Sequence, residues 1–232
     1  MLTIENARVS YGKSSVINGI SLTVSQGEKL AVLGRNGVGK TTLLKSFMGI
    51  LPLKEGRMTF KGEDITRKKP YQRSQAGMAY VPQGREILPL LTVKENLEMG
   101  VLGHKGVVLA DRMAQVLEYF PVLKEHLSRN GGVLSGGQQQ QLAIGRALMS
   151  SPKILLLDEP TEGIQPNIVA HIAEILNKIR IDMGITLVIV EQNLPFAKRI
   201  ADTFVVMQKG QVVASGATGE LSEDVVRAYL TV

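Results

Sequence analysis

Gly34-Arg35-Asn36-Gly37-Val38-Gly39-Lys40-Thr41 has the spacing G-x-x-x-x-G-K-T, that of a phosphate-binding loop. Gly34, Gly37 and Gly39 permit backbone angles closed to other residues. Successive N–H groups can then turn inward around a phosphate, and the helix that begins behind them adds the positive end of its dipole. The Lys40 ammonium has the reach for β- and γ-phosphates, and the Thr41 hydroxyl can ligate Mg²⁺. A glycine-rich turn with a chance lysine is the alternative. It leaves unexplained the apolar run Leu30-Ala31-Val32-Leu33 before the loop and the helix-forming run Thr42-Leu43-Leu44 after it.

Two further groups carry chemistry. Leu155-Leu156-Leu157-Asp158-Glu159 is an apolar strand ending in a carboxylate pair, and ligands of parallel sheets bind at such strand ends. Asp158 is suited to hold Mg²⁺, directly or through water, and Glu159 to polarise a water attacking a γ-phosphate in line. Alone, the pair reads equally well as a turn before Pro160; beside a phosphate loop the catalytic reading is the stronger. In Leu134-Ser135-Gly136-Gly137-Gln138, Ser135 can cap a helix running from Gln139 to Met149, with Gly136 and Gly137 leaving its N-terminus open. That is a second anion-binding helix end. His104, His126 and His171 are scattered and show no metal-ligand spacing.

The elements that must position these groups follow from periodicity. Strands are expected at Leu2 to Val9, within Val16 to Val24, at Lys29 to Leu33, Arg57 to Phe60, Met78 to Val81, Lys153 to Leu157 and Thr186 to Val190. A hairpin is expected from Thr203 to Ala214 across Lys209-Gly210, with Tyr11-Gly12-Lys13 and Gln26-Gly27-Glu28 as turns. The stretch Thr92 to Leu148 is helical with glycine breaks; Ile168 to Ile181, Leu194 to Ala201 and Ser222 to Leu230 are further helices. The continuous apolar runs at 153–157 and 186–190 suit strands of a parallel sheet covered on both faces. Strands alternate with helices at both ends of the chain, around a helical insertion.

Composition sets bounds. The 232 residues, 44% hydrophobic and 21% charged, suit one large domain with a sizeable core. The absence of Cys excludes disulfides, thiolate metal sites and thiol nucleophiles. Met1-Leu2-Thr3-Ile4-Glu5-Asn6 lacks the pattern of a signal peptide, and no apolar run reaches the about 18 residues that span a bilayer, so any membrane association is expected to be peripheral. The net charge of +6 comes from dispersed lysines and arginines; Arg67-Lys68-Lys69 is the one tight cluster and reads as a solvated loop. With 4% aromatic residues and no Trp, stacking platforms for single strands are not expected, nor is a nucleic-acid partner.

Jointly, the phosphate loop, Leu134-Ser135-Gly136-Gly137-Gln138 and the apolar strand ending in Asp158-Glu159 resemble the ATP-binding cassette family. The resemblance covers essentially the whole chain. It implies an α/β fold: a phosphate-loop core with a mainly parallel sheet, an antiparallel β part and an inserted helical subdomain. The nucleotide-binding core would be 1–84 with 152–232 and the helical subdomain 85–151, all one ATPase domain over 1–232. It implies ATP and Mg²⁺ as bound species. Gly34, Arg35, Asn36, Gly37, Val38, Gly39, Lys40, Thr41 and Thr42 would hold the phosphates, with Tyr11 stacked on the adenine. Ser135, Gly136, Gly137 and Gln138 would contact the nucleotide of a partner subunit. Thr41, Gln83 and Asp158 would serve the metal. Glu159, Gln83, Gln192 and Lys40 would carry catalysis.

The implied partners are a second ATPase subunit in a head-to-tail dimer (a different paralogue, as importers of this kind use, or a second copy of this chain), membrane permease subunits received along residues 84–97, and, indirectly, a periplasmic solute-binding protein. The implied location is the cytoplasmic face of the inner membrane. Two departures stand out. Gln192 occupies the position where the family commonly has His, and Gln cannot carry a positive charge. Glu162-Gly163-Ile164-Gln165-Pro166 replaces the common S-A-L-D segment. Val190-Glu191-Gln192-Asn193 and Pro160-Thr161-Glu162-Gly163 resemble the ATPase subunits of branched-chain amino acid importers. Within that group, Gly37-Val38-Gly39, Val81-Pro82-Gln83-Gly84-Arg85-Glu86-Ile87 and Gln138 to Gln141 resemble most the subunits of urea uptake. A cassette ATPase in nucleic-acid or ribosome work is the competing class; it usually has two cassettes in one chain or a long coiled-coil insertion, and this chain has neither. Phosphate-loop kinases and GTPases are disfavoured by Leu134 to Gln138.

Overall fold

The computed structural model describes residues 1–230. In chain order the elements are β1 (Leu2–Tyr11), β2 (Ser14–Val24), β3 (Lys29–Leu33), α1 (Lys40–Phe47), β4 (Glu55–Phe60), β5 (Glu63–Asp64), α2 (Pro70–Gln75) and β6 (Met78–Val81). The helical stretch holds α3 (Val93–Met99), α4 (Leu109–Tyr119), α5 (Pro121–Lys124) and α6 (Gly136–Leu148). Then follow β7 (Ile154–Asp158), α7 (Pro166–Met183), β8 (Thr186–Glu191), α8 (Leu194–Ile200), β9 (Thr203–Gln208), β10 (Gln211–Ala217) and α9 (Glu223–Tyr229).

Two sheets form. One has the order β2-β1-β4-β5 and is antiparallel. The other has the order β10-β9-β3-β8-β7-β6 and is parallel except for the β9–β10 hairpin. Every residue of β7 and β8 is buried, as their unbroken apolar runs require. Their side chains divide by period two. Leu155, Leu157, Leu187 and Ile189 enter the core shared with α3, α6 and α7. Ile154, Leu156, Val188 and Val190 enter the core shared with α1 and the antiparallel sheet. The parallel sheet is therefore the middle layer, and the C-terminal ends of β3, β6, β7 and β8 share one edge.

Several expectations are corrected. Tyr11 ends β1 rather than sitting in the turn, and α7 runs two residues beyond the periodic stretch at each end. Helix α6 begins at Gly136, not Gln139, so both signature glycines lie inside its first turn. Arg67-Lys68-Lys69 is the solvated loop expected, but Pro70 directly after it opens α2, whose Arg73 is buried. The Arg73 guanidinium donates to the carbonyls of Ser46 and Phe47 (2.8 Å each) and to those of Thr66 (3.1 Å) and Lys68 (3.0 Å). It thus satisfies the open carbonyl end of α1; burial pulls its pKa down to about 10. The hairpin turn Lys209-Gly210 has φ of 47° and 75°, the paired positive angles of a type I′ turn. Its Gly210 accepts from Asn18 N–H (2.8 Å) and donates to the Val38 carbonyl (3.1 Å), bracing the phosphate loop from behind. A Cβ at Gly210 would stand 1.9 Å from the Val16 carbonyl oxygen.

Candidate active site

Strand β3 delivers the chain into the loop Gly34 to Gly39, and α1 leaves from Gly39, whose φ is 106°. A side chain at Gly34 would meet the Met207 carbonyl at 2.6 Å, so the loop lies tight against β9. A Cβ at Gly37 would meet nothing within 4 Å, so the loop's outer face is open. Lys40 is 4% exposed and folds back into the loop. Its Nζ donates to the carbonyls of Gly34 (2.8 Å) and Arg35 (3.0 Å) and pairs with Glu159 Oε1 (3.3 Å). The ammonium thus sits where a phosphate held by the loop's N–H groups would lie, and an entering phosphate oxygen competes with those carbonyls and with Glu159 for it.

Thr41, on the first turn of α1, donates its hydroxyl to Asp158 Oδ1 (3.1 Å), and Tyr80 from β6 donates to Asp158 Oδ2 (3.0 Å). Asp158 is 1% exposed. Burial raises its pKa, against the hydrogen bonds from Tyr80 and Thr41. Burial and the Asp158 charge together push the Tyr80 hydroxyl up. Among the described residues no ion pair reaches Asp158. A buried carboxylate beside a hydroxyl, both hard oxygen donors, fits Mg²⁺. Among the described residues there is no cluster of three or more His, Cys, Asp or Glu side chains that could hold a metal without further ligands, so a cation here would draw on water or phosphate oxygens.

Glu159 has φ of 46°, a left-handed conformation that costs a residue with a side chain about 1–3 kcal/mol. Its N–H donates to the Val190 carbonyl (2.9 Å), which holds the turn. Besides Lys40, two groups converge on its carboxylate. Gln192 Nε2 donates to Glu159 Oε1 (2.9 Å) and also to Asn36 Oδ1 (2.6 Å). Gln83 Nε2 donates to Glu159 Oε2 (3.3 Å) and to Glu162 Oε2 (3.0 Å). Gln83 thus stands on the Glu159 side of the site, where it meets carboxylates and not the Thr41–Asp158 pair.

Ser135 to Gln138 lie elsewhere. Ser135 is exposed; its hydroxyl accepts from Gln138 N–H (3.4 Å), and Gln138 Oε1 accepts from Ser135 N–H (2.9 Å), a reciprocal cap. Among the described residues no hydrogen bond or ion pair joins this turn to residues 34–42. Its glycines also have packing reasons: a Cβ at Gly136 would stand 3.2 Å from the Arg85 guanidinium, and one at Gly137 2.8 Å from Ile168. Tyr11 is 48% exposed at the end of β1. Thr42 is buried behind the loop. His104 faces Ser74 (3.1 Å) and His171 faces Glu174 (4.0 Å).

Sequence reasoning missed Tyr80, Arg85 and Glu162. Tyr80 alternates onto the same face of the sheet as Leu156 and Asp158, a signal available once β6 and β7 are placed side by side. Arg85 has φ of 72° and donates to the Glu162 carbonyl (3.2 Å); no local pattern announces it.

Comparison with known proteins bears on this arrangement. Residues 17–162 match the ABC transporter family. The chain is 39% identical to a high-affinity branched-chain amino acid transport ATP-binding protein, BraG, of Pseudomonas aeruginosa, over 99% of each chain. It is 34% identical to a probable branched-chain amino acid transport ATP-binding protein, LivF, of Archaeoglobus fulgidus (96% and 94% covered). It is also 34% identical to the lipopolysaccharide export ATP-binding protein LptB of Escherichia coli (99% and 96%). Its fold superposes on the ADP conformation of the ATP-binding cassette MJ1267 with a TM-score of 0.86 at 31% identity, covering 98% and 94% of the two chains. The chain belongs to the ABC transporter family and is an ATP-hydrolysing cassette.

Proposed function

We propose that this cassette powers a solute importer, with branched-chain amino acids as the cargo class. The observation that carries the cargo class is the 39% identity to BraG over 99% of both chains, above the 34% to the export protein LptB. Val190-Glu191-Gln192-Asn193 agrees with it. Urea uptake rests on short segments alone, and none of the relatives above is named for it; the amino-acid reading takes its place. Residues 1–84 with 152–232 act as the nucleotide-binding core and 85–151 as the helical subdomain. A second ATPase subunit completes the site, permease subunits dock along 84–97, and the protein works peripherally on the cytoplasmic face of the inner membrane. Among the described residues no helix is long and apolar enough to cross a membrane.

The chemistry follows from the site. The loop N–H groups and Lys40 bind the β- and γ-phosphates, and Tyr11 offers its ring to the adenine. Mg²⁺, held by Thr41 and Asp158, would supply charge neutralisation on the phosphate oxygens. When Lys40 turns to phosphate, Glu159 loses its ion pair and its carboxylate is free to accept a proton from the attacking water. Gln83 and Gln192 fix the two oxygens of that carboxylate. Because Gln192 is uncharged, Glu159 carries the proton transfer without a neighbouring imidazole.

The test is Glu159→Gln. Turnover is expected to fall by about 10²–10⁴-fold while ATP stays bound. Hydrolysis at the wild-type rate removes Glu159 from the mechanism. For the cargo, uptake of labelled leucine and of labelled urea by membranes holding the whole transporter separates the two readings.

A further inference from the structure

Glu191 closes β8 and is 2% exposed, and its carboxylate has no part in the chemistry above. Its two oxygens serve two different loops. Oε1 accepts from the N–H (3.1 Å) and the hydroxyl (2.8 Å) of Thr161. Oε2 accepts from the N–H groups of Gln192 and Asn193 (3.1 Å each). Among the described residues no ion pair reaches it. Four neutral donors, two from each loop, hold this buried charge.

The loops concerned are the two that build the hydrolytic end of the site. Thr161 follows Glu159 by two residues, and Gln192 is the side chain that grips Glu159 Oε1. Strand β8 lies between β3 and β7, so its C-terminal residue stands between the phosphate loop and the Asp158-Glu159 turn. Leu33 is its partner in register on one side, and Val190 pairs with Asp158 on the other. Glu159 itself is held in a left-handed conformation at φ 46°, so its turn needs an anchor on both sides. Val190 anchors it at the Glu159 N–H and Glu191 at Thr161.

We propose that Glu191 is a positioning residue for hydrolysis: its carboxylate pegs the loop bearing Glu159 to the loop bearing Gln192, and so fixes the Gln192–Glu159 contact. The demand on residue type is strict. Each oxygen receives two donors, so an amide here must turn its NH₂ toward the donors of one loop, whichever way it flips. Aspartate has the charge but is one methylene short of spanning both loops. Burial pushes the Glu191 carboxyl up, and the donors from Thr161, Asn193 and Gln192 pull it back toward the ionised form that the peg requires.

Steady-state ATPase kinetics of the full chain with its partner subunit test this. Glu191→Gln is expected to lower kcat about tenfold or more, with KM for ATP within about twofold, because it reaches neither the loop N–H groups nor Lys40. In a Gln192→Ala background the same change should lower kcat by no more than about twofold, since the group being positioned is gone. Thr161→Val removes one donor and should lower kcat in the same sense, while Thr161→Ser, which keeps it, should match wild type. Wild-type kcat in Glu191→Gln overturns the proposal. So does a rise in KM alone, or a loss that multiplies in full with that of Gln192→Ala, the mark of a merely structural residue. If Glu191→Gln fails to fold, the Thr161 pair decides: equal kcat in Thr161→Val and Thr161→Ser overturns it.

Discussion

At α1 the helix starts on Gly39, with no side-chain cap on its first turn and no acidic residue within it. At α6 the helix starts on Ser135, and the Ser135–Gln138 box satisfies donors of that turn from within the chain. Both ends are led by glycines, yet their surroundings are opposite. The α1 end is ringed by Lys40, Asp158, Glu159 and Gln192, all brought to one sheet edge. At the α6 end Ser135 is exposed, and the Arg85 guanidinium lies against Gly136. The difference teaches that a helix N-terminus alone does not make a catalytic site. The α1 end has its carboxylates and cation in its own chain, whereas at the α6 end we propose that the donors serve a nucleotide held by a second subunit.

The largest expected effect tests the α1 end. Lys40→Ala removes the cation at the centre of the loop, and ATP affinity should fall about 100-fold in calorimetry with the isolated chain. Unchanged affinity would dismantle the account of that loop. The α6 end should behave differently. Ser135→Ala should leave the isolated chain's affinity for ATP within about twofold of wild type, yet lower hydrolysis in the assembled transporter about tenfold. It should also cost about 1 kcal/mol of stability through the lost cap. If Ser135→Ala weakened ATP binding to the isolated chain as much as Lys40→Ala does, the contrast between the two helix ends would collapse.

The contrast also shows which parts of the molecule are legible in the sequence. The phosphate loop could be read because all its parts are consecutive, and β7 and β8 because continuous burial leaves a continuous apolar run. The cap at Ser135 could be read because its partner is three residues away, although the extra turn of α6 could not: glycines argue against helix until their packing against Arg85 and Ile168 is known. The rest of the site is made of contacts across long stretches of chain. Tyr80 meets Asp158, Gln83 meets Glu162, and Thr161 meets Glu191. No short motif encodes such pairs, and strand alternation reaches Tyr80 only once β6 and β7 are known to be neighbours. Arg73 is the same lesson in the fold: nothing in its local sequence marks it for burial, and only tertiary structure supplies the carbonyls that bury it.

Asp158 gives the comparison its pH dependence, with the smallest of these effects. Burial raises its pKa above the ordinary 3.8, so the folded chain binds the proton more tightly than the unfolded chain. The stability due to that proton is fully present below the unfolded value and is lost as pH rises through the raised folded value. At neutral pH the ionised Asp158 therefore costs stability unless a cation joins it. Asp158→Asn can still accept from Thr41 while its NH₂ donates to the Tyr80 oxygen. Without nucleotide and Mg²⁺, the variant should melt about 2–4 °C above wild type near neutral pH, and the gap should close as the buffer approaches pH 4. The Mg²⁺-dependent part of the stabilisation by ATP should vanish with it. Ser135→Ala has no titratable group at its site, so its loss of stability should stay flat over the same range. A variant less stable than wild type at every pH would mean that the bonds from Thr41 and Tyr80 outweigh burial, and that the Asp158 carboxylate is at rest without a metal.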